Sequence, residues 1–303
     1  MRLRFVLVLL GGLLVAAGGG LALGSAVRSG PASQPTLTAI GDEQARSEQL
    51  QRLLEEASAA QRLVTDMAAL LLDARLADQS VLLVTTPGGA AEARQVQAML
   101  RAAGASIAGE LDLTDRFTDV RHGDELLDLI VASLPPNLSG DLPVTADGVG
   151  ATGALLGAVL FRQEPAVPVG DVRRVLSALE SHDFLTGDSG IPAPADAVVL
   201  LTGGTSGEAG LLSFVDALRD AGPGAPVVVA GTSGERGTLV SALRGDAELT
   251  AAVSTVDDVA TPQGRLVTAW AVADLFDGRV GHYGTAPGAE ALPDLGRQPG
   301  HVP

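Results

Sequence analysis

The side chains that could carry chemistry in this chain are few and stand mostly alone. All 20 basic residues are Arg, there is no Cys, and only 4 His and 3 Met are present. Without Cys there is no disulfide framework and no thiolate site. Without Lys there is no Walker-type phosphate loop and no Schiff-base chemistry. Because metal sites draw on sulfur, imidazole and carboxylate ligands, a tight preformed metal site is not expected.

One pair of candidate metal ligands stands out. His282 and Tyr283 lie between two glycines, and the adjacent carboxylates Asp257 and Asp258 precede them in the chain. These four residues are the candidates for a weak or intersubunit metal site. A packed or hydrogen-bonded turn is the alternative interpretation, and no tightly bound cofactor is expected.

Glycine-rich turns follow three apolar runs, at residues 86–89, 203–207 and 231–237. Backbone amides in such turns can receive an anion. None of them fits G-x-G-x-x-G, so plain strand-to-helix turns are favoured. The sequence at 231–234 is similar to a nucleophile elbow, but residue 235 is Glu rather than Gly. No His is placed by an acid at a supporting spacing, and the chain is expected not to be an enzyme.

The amino terminus has the composition of a membrane segment. Arg2 and Arg4 precede an uncharged run of 23 residues, 5–27, and Arg28 ends it. This run is long enough to cross a bilayer as a helix, although a cleaved signal peptide is the alternative. We expect residues 1–28 to be a single-pass anchor or uncleaved signal, with the bulk of the chain extracytoplasmic. Small residues recur every four positions within it, which favours self-association in the membrane.

A helix is predicted after a linker at residues 29–40. Apolar residues at 50, 53, 57, 60, 64, 67 and 71 alternate steps of three and four. This 3.5-residue repeat predicts a coiled coil over residues 41–77, and with the anchor it predicts a homo-oligomer. A single helix docked on the body is the alternative.

Two similar segments predict an α/β body. Ser80–Thr85 and Ala197–Thr202 are apolar runs that end in Gly-rich turns, and each is followed by a helical pattern that ends in Ala-Gly. We predict two related strand–Gly turn–helix units, at 78–192 and 193–284, and a disordered tail at 285–303. The apolar run at 149–161 is too short to cross a membrane and is better suited to a buried core.

The charge balance limits the partners. The formal net charge is −16. Residues 1–28 hold three Arg and no acid, so the remainder carries −16 − 3 = −19. An acidic surface attracts cations weakly and is a poor nucleic-acid binder.

The carboxyl-terminal sequence carries a family resemblance. Val253-Ser254-Thr255-Val256-Asp257-Asp258-Val259, Pro262-x-Gly264-Arg265 and Gly278-x-Val280-Gly281-His282-Tyr283-Gly284-Thr285 together resemble the end of the mycobacterial copper transport protein B family of actinobacterial envelope proteins. The order of anchor, heptad helix and strands agrees over nearly the whole chain. Asp257-Asp258 and the turn at 281–285 are the shared signature.

This resemblance implies a non-enzymatic role in copper transport, efflux or homeostasis, in the cell membrane or outer envelope. Copper would then be the transported ion, passing through an oligomer or with envelope protein partners. An envelope scaffold that docks a partner without handling metal is the alternative.

Overall fold

The computed structural model describes residues 37–72, 74–136, 138, 147–162, 166–186, 192–204, 206–221 and 226–290. The chain divides into two compact units, residues 1–55 and residues 56–303. The predicted anchor, 1–28, lies outside the described residues, as does most of the predicted linker. Within the described ranges, no helix combines the length and the apolar character needed to cross a bilayer.

The predicted heptad segment is helical. Helix α1 spans Leu37–Leu72, so it begins before residue 41 and ends before residue 77. In the larger unit its residues Val64, Ala68 and Leu72 are buried, spaced four apart on one helix face. The carboxyl-terminal end of α1 therefore docks on the body, which was the alternative to the coiled coil. The coiled coil itself stays a prediction for the upstream part.

A seven-stranded sheet forms the body, in the order β3-β2-β1-β4-β5-β6-β7. Neighbouring strands are parallel, except that β2 and β3 are antiparallel. The α/β class is confirmed. The strands are β1 Ser80–Thr85, β2 Ser106–Leu113, β3 Leu185–Thr186, β4 Ala197–Thr202, β5 Val227–Gly231, β6 Ser254–Val256 and β7 His282–Tyr283.

The two strands that resemble each other in sequence lie side by side. In the parallel pair of β1 and β4, Val81 is opposite Ala197 and Thr85 is opposite Leu201. All six residues of each strand are buried. Such continuous apolar runs belong to parallel strands covered on both faces. The two predicted units therefore share one sheet.

Helices cover both faces of this sheet. The remaining helices are α2 Ala93–Ala102, α3 Asp115–Thr118, α4 Gly123–Ser133, α5 Gly148–Leu160, α6 Val169–Ser181, α7 Leu212–Asp220, α8 Leu239–Gly245, α9 Ala247–Thr250 and α10 Pro262–Phe276, with short 3-10 turns at Ala90–Glu92, Val120–His122 and Ser206–Leu211. Helices α4 to α8 pack on the face that carries Leu82, Val84 and Leu200. The opposite face carries Leu83 and Val199 and is covered by the end of α1, α2 and α10.

The short apolar segment at 149–161 forms the buried helix α5. Nearly all of its residues are buried, as predicted for this apolar run, although a helix was not predicted there. Its glycines permit close packing on α7. A Cβ at Gly153 would lie 2.4 Å from the carbonyl oxygen of Phe214, and one at Gly157 would lie 2.7 Å from the Cβ of Ala221.

The ordered chain extends past residue 284, where the disordered tail was predicted to begin. The amide of Thr285 donates to Asp257. The amide of Glu290 donates to the carbonyl of His282, and the amide of Gly284 donates to the carbonyl of Glu290. Residues 285–290 are thus tied to β7, and the predicted tail beyond 290 lies outside the described residues.

Candidate functional site

The four predicted candidate ligands lie on or directly after the last two strands of the sheet. Asp257 and Asp258 follow β6, and His282 and Tyr283 form β7. The two strands are parallel, with Thr255 opposite His282. Because carboxyl ends of parallel strands lie along one edge of the sheet, distant parts of the sequence come together here.

Asp257 is the centre of this region. Its side chain is only 1% exposed, and its Oδ2 lies 2.7 Å from Nη1 of Arg244, which is 11% exposed. The backbone amide of Thr285 donates to Oδ1 over 2.7 Å, and that of Ala286 donates to Oδ2 over 3.2 Å. The negative charge of Asp257 is thus balanced by Arg244, and both of its oxygens accept hydrogen bonds from the same chain.

Arg244 is the residue that sequence reasoning missed. It lies in the last turn of α8. Its Nε donates to the hydroxyl of Thr255 over 2.8 Å and its Nη2 donates to the carbonyl of Tyr283 over 2.9 Å. One guanidinium therefore joins α8, β6 and β7, but nothing in the local sequence distinguishes it from a solvated helix-end Arg.

Both ring nitrogens of His282 are engaged. Nε2 lies 3.0 Å from the carbonyl of Thr250, and Nδ1 lies 2.9 Å from the hydroxyl of Thr255. A carbonyl only accepts, so the hydrogen-bond network assigns the proton to Nε2, and Nδ1 accepts from the hydroxyl. Burial lowers the pKa of His282 and the charge of Arg244 adds to the effect, against an opposing hydrogen bond to Thr250. The imidazole is accordingly held neutral.

Tyr283 contacts a different set of charges. Its hydroxyl donates to Oδ2 of Asp274 over 3.2 Å. Oδ1 of that carboxylate is bound by Arg75 at 3.0 Å and by Arg279 at 2.5 Å. Burial, followed by the negative charge of Asp274, raises the pKa of Tyr283 well above its usual range. The phenol therefore remains protonated and serves as a donor.

Asp258 is less enclosed than its neighbour. Burial raises its pKa, and the negative charge of Asp257 raises it further. The hydroxyl of Thr261 donates to the backbone carbonyl of Asp258 over 2.9 Å, at the start of α10. This residue belongs to the turn that leads from β6 into α10.

The four candidates do not converge on one point. Successive residues of a strand point to opposite faces, and His282 and Tyr283 accordingly bond to different partners. The guanidinium of Arg244 lies beside both His282 and Asp257, and a second cation there would be repelled. Over the described part of the chain, no three His, Cys, Asp or Glu side chains are grouped to hold a metal ion. A weak or intersubunit metal site at these residues stays a prediction.

The glycines of the signature are required by packing. Gly284 has φ +132°, and a Cβ there would lie 2.1 Å from Oδ1 of Asp257. A Cβ at Gly281 would lie 2.1 Å from the hydroxyl oxygen of Tyr283, and one at Gly264 would lie 2.1 Å from the carbonyl oxygen of Asp258. The sequence on which the resemblance was recognised is therefore that of a tightly packed sheet corner.

The reversal of strand order between β1 and β4 is the place where open α/β sheets usually bind ligands. Here the two Gly-rich turns touch, since a Cβ at Gly88 would lie 2.7 Å from Cα of Gly203. The buried carboxylate of Glu208 accepts from the amide of Gly203 over 2.9 Å and from the hydroxyl of Thr86 over 2.5 Å. The backbone amide of Gly203, which could otherwise donate to a bound anion, thus donates to a carboxylate of the chain itself. This favours the interpretation of plain strand-to-helix turns.

The chain is similar to known proteins over most of its length. A family model described as "Copper transport outer membrane protein, MctB" matches residues 1–293. Proteins named "Copper transporter MctB" from Mycobacterium tuberculosis and Mycobacterium bovis are each 30% identical over 293 residues, covering 90% of this chain and 93% of theirs. The protein of that name from Mycobacterium leprae is 31% identical over 207 residues, covering 63% of this chain and 65% of its own.

The matched residues include the heptad helix, both central strands and the sheet corner around Asp257. A family model that matches nearly the full length, together with relatives at 30% identity over 90% of the chain, confirms the resemblance read from the sequence. The chain belongs to the MctB family of copper transport proteins.

Proposed function

We propose that this chain takes part in copper transport, efflux or copper homeostasis at the cell envelope, without enzymatic activity. The observation that carries the proposal is the family match over residues 1–293. It includes the predicted anchor, the helix and the whole sheet, so the similarity is not confined to a common α/β core. The relatives that match over most of their length are named copper transporters.

The proposed location is the cell membrane or outer envelope, with residues 1–28 as a single-pass anchor and the remainder extracytoplasmic. The uncharged run flanked by Arg2, Arg4 and Arg28 supports the anchor. The family description, which names the outer membrane, supports an envelope location.

Copper is proposed as cargo rather than as a resident cofactor. In the body, the ring nitrogens of His282 are hydrogen-bonded to Thr250 and Thr255, and the carboxylate of Asp257 forms an ion pair with Arg244. The −19 charge outside the anchor, derived above from the sequence, favours a raised local concentration of cations. Transport would then require an oligomer or envelope partners, and the candidate ligands would contribute at most a weak or intersubunit site.

The test of this function is the copper content of cells. A strain that lacks the chain should hold more copper than its parent after growth in added copper, and the full chain supplied in trans should restore the parental content. Total copper per cell is measured by mass spectrometry, with zinc as the control metal. Equal copper in the parent and the deletion strain would refute the proposal.

An envelope scaffold without direct metal handling is the second candidate. The bonded state of His282 and Asp257 favours it, because a ligand atom must be released before it can bind metal. Calorimetric titration of the purified full chain with copper separates the two candidates. Binding well below millimolar copper supports direct handling. Absence of binding in monomer and oligomer alike supports the scaffold.

A further inference from the structure

The turn that joins helix α1 to strand β1 holds two residues in a backbone conformation that side chains rarely adopt. Ala74 has φ +52° and Asp78 has φ +64°. In this left-handed region the Cβ of an L-residue lies too close to the following carbonyl oxygen, a cost that Asp tolerates better than Ala. Such a conformation persists only where the surrounding contacts determine it. The contacts around this turn therefore hold it against a local backbone cost.

One side of the turn packs on the end of helix α2. The amide of Leu76 donates to the carbonyl of Ala103 over 2.8 Å, and Leu76 is fully buried. Gly104 lies against the turn, since a Cβ there would lie 3.2 Å from the backbone nitrogen of Ala77 and 3.4 Å from Cα of Ala74. These backbone contacts fix the side of the turn that faces α2.

Arg75 fixes the turn to the end of helix α10. Its Nη2 lies 3.0 Å from Oδ1 of Asp274 and 2.6 Å from Oδ2 of Asp277. Its guanidinium lies over the ring of Trp270, with Cζ 4.8 Å from the ring centroid, which is a favourable position for a cation. The side chains of Arg75 and Asp274 are 14% and 7% exposed. Because both are largely removed from solvent, breaking this ion pair costs more than breaking an exposed one.

Asp274 also contacts the corner between β6 and β7. Its Oδ2 accepts from the hydroxyl of Tyr283 over 3.2 Å, whereas its Oδ1 faces Arg75 and Arg279. The two oxygens of one planar carboxylate thus have donors from different parts of the fold, and a rotation of the carboxylate would break both contacts. Each donor therefore holds Asp274 in the orientation that the other donor needs. We call Arg75, Asp274 and Tyr283 the Asp274 cluster.

The Asp274 cluster joins elements that are far apart in the sheet. Arg75 precedes the central strand β1, and Tyr283 lies in the edge strand β7, with three strands between β1 and β7. Arg75 and Asp274 are 199 residues apart in the chain. The connection runs through α10, which covers one face of the sheet, rather than from strand to strand. It can therefore couple the two places without a change in the central strands.

The docked end of α1 is held on one side only. Within the larger unit, Val64, Ala68 and Leu72 are buried against the body, while Leu70 is 76% exposed. Elements with few buried contacts open at a lower free energy than central strands do. We therefore expect this end of α1 to open before the central strands, and the contacts of Arg75 to set how often it opens.

We propose that the Asp274 cluster couples the docked end of α1 to the corner between β6 and β7, so that the two open and close together. In the closed state, Arg75 and Tyr283 both hold Asp274, and the backbone at Ala74 is strained. In the open state, Ala74 leaves the left-handed region and Asp274 no longer accepts from Tyr283. The body thus contains a conformational device through which a displacement of this end of α1 reaches the corner. The proposal stands independently of the copper function.

Amide hydrogen exchange of the purified full chain in detergent tests the coupling. Coupling between two sites is reciprocal, so each donor to Asp274 is removed in turn. Arg75→Gln removes the charge, and we expect amides at residues 282–285 to exchange faster by about fivefold or more. Tyr283→Phe removes only the hydroxyl of a buried ring, and we expect an increase of about fivefold or more at residues 64–72. In both variants the amides of β1 and β4 should keep their rates.

The response at the distant end decides the outcome. Arg75→Gln that speeds exchange at residues 64–72 and leaves residues 282–285 unchanged would show that α1 opens alone, and would overturn the coupling. Tyr283→Phe that leaves residues 64–72 unchanged would overturn it as well. Faster exchange throughout β1 and β4 would show a loss of overall stability and would refute a local device.

The matched control for the loss of charge is Arg174→Gln. Arg174 forms an ion pair with Asp171 at 2.9 Å and is 56% exposed. Both residues belong to α6, on the opposite face of the sheet. Exchange at residues 64–72 and 282–285 should stay at the rates of the natural chain. An equal increase in this control and in Arg75→Gln would overturn the role of the Asp274 cluster.

A further variant tests the strained turn. Ala74 is exposed, so Ala74→Gly removes no buried side chain. Because Gly adopts the left-handed region without strain, the closed state becomes more favourable. We expect exchange at residues 64–72 to slow by about threefold, both in the natural chain and when Ala74→Gly is added to Arg75→Gln. Faster exchange in Ala74→Gly would contradict the proposed strain in the closed state.

Discussion

At the scale of single residues, the corner between β6 and β7 depends on one buried ion pair. Arg244 and Asp257 are 2.7 Å apart, and both are largely removed from solvent. Removing one partner of such a pair leaves the other charge buried without compensation, which costs more than the pair itself contributes. The residues on which the sequence resemblance was recognised surround this pair, so their pattern reflects packing at least as much as chemistry.

Arg244→Ala should therefore lower the free energy of unfolding by about 3–5 kcal/mol, because Asp257 stays buried without its partner. Chemical denaturation of the purified full chain measures the loss. The matched control is Arg174→Ala. Arg174 pairs with Asp171 at 2.9 Å and is 56% exposed, so its removal should cost less than about 1 kcal/mol. Equal losses in the two variants would contradict the structural role of Arg244.

The pH dependence of stability should report on His282. Because burial lowers its pKa in the folded chain, the unfolded chain takes up more protons near the ordinary His pKa of about 6.5. The neutral imidazole therefore contributes to the free energy of unfolding above that pH. This contribution is lost as the pH falls through the lower pKa of the folded state. His282→Gln, which can still donate to Thr250, should reduce the slope of stability between about pH 7 and pH 5. Thermal unfolding over that range is the measurement.

The matched control for this pH effect is His182→Gln, since His182 is exposed at the end of α6. It should leave the slope unchanged. A slope that responds to His182→Gln and not to His282→Gln would show that burial of His282 is not the source.

Sequence could predict part of this corner. Asp257, His282 and Tyr283 are recognisable as a distinctive set, and the glycines beside them indicate a turn. Arg244 could not be predicted, since it joins the corner through contacts 11 to 39 residues away in the chain. The opposite orientations of His282 and Tyr283 follow from a two-residue strand that has no periodic signal of its own.

At the scale of elements, glycine sets the distance between buried helices. Helix α5 lies against α7 with Gly153 facing the backbone of Phe214. No side chain larger than hydrogen fits at that contact. Helix α5 is buried on nearly all sides. This explains why it carries no charged residues and why glycines lie at its contact with α7.

Gly153→Ala should consequently destabilise the chain by about 1–3 kcal/mol, since the new methyl group forces α5 away from α7. Gly170→Ala in α6 is the matched control, because a Cβ there meets nothing within 4 Å. It should be neutral or stabilising by up to about 1 kcal/mol, as expected for Gly replaced by Ala in a helix. Chemical denaturation gives both values, and a neutral Gly153→Ala would contradict the close packing.

The strands show which elements can be predicted from the local pattern of apolar residues in the sequence. Ser80–Thr85 and Ala197–Thr202 were predicted with their observed ends, because they are continuous apolar runs. Strand β2 was missed, since Ser106–Leu113 is mostly half-buried and mixes polar residues with Gly109. Its register with β1 also shifts between Val81 and Leu82. Strands near the edge of the sheet lack the apolar signal of the central ones.

At the scale of the whole molecule, strand order joins distant parts of the chain. β1 and β4 pair although a long segment that contains β2, β3 and helices α2 to α6 separates them. Such an order depends on contacts between distant residues and is not contained in local periodicity. The two central strands were predicted, but the prediction of two related units gave no indication that these strands belong to a single sheet.

The proposed copper function also belongs to the whole molecule. The described body uses candidate ligands for internal bonds around Arg244 and Asp274, so we expect copper transport to depend on the proposed anchor and the proposed oligomer. A chain that lacks residues 1–28 should then fail to support copper efflux even when its sheet is folded.

The most direct test of this function is the rate at which copper-loaded cells lose copper to copper-free medium. A strain that lacks the chain is compared with the same strain carrying the full chain or the chain without residues 1–28. We expect slow loss without the chain, the parental rate with the full chain, and slow loss again with the truncated chain. An unchanged rate of loss in the strain that lacks the chain would contradict the proposed copper function.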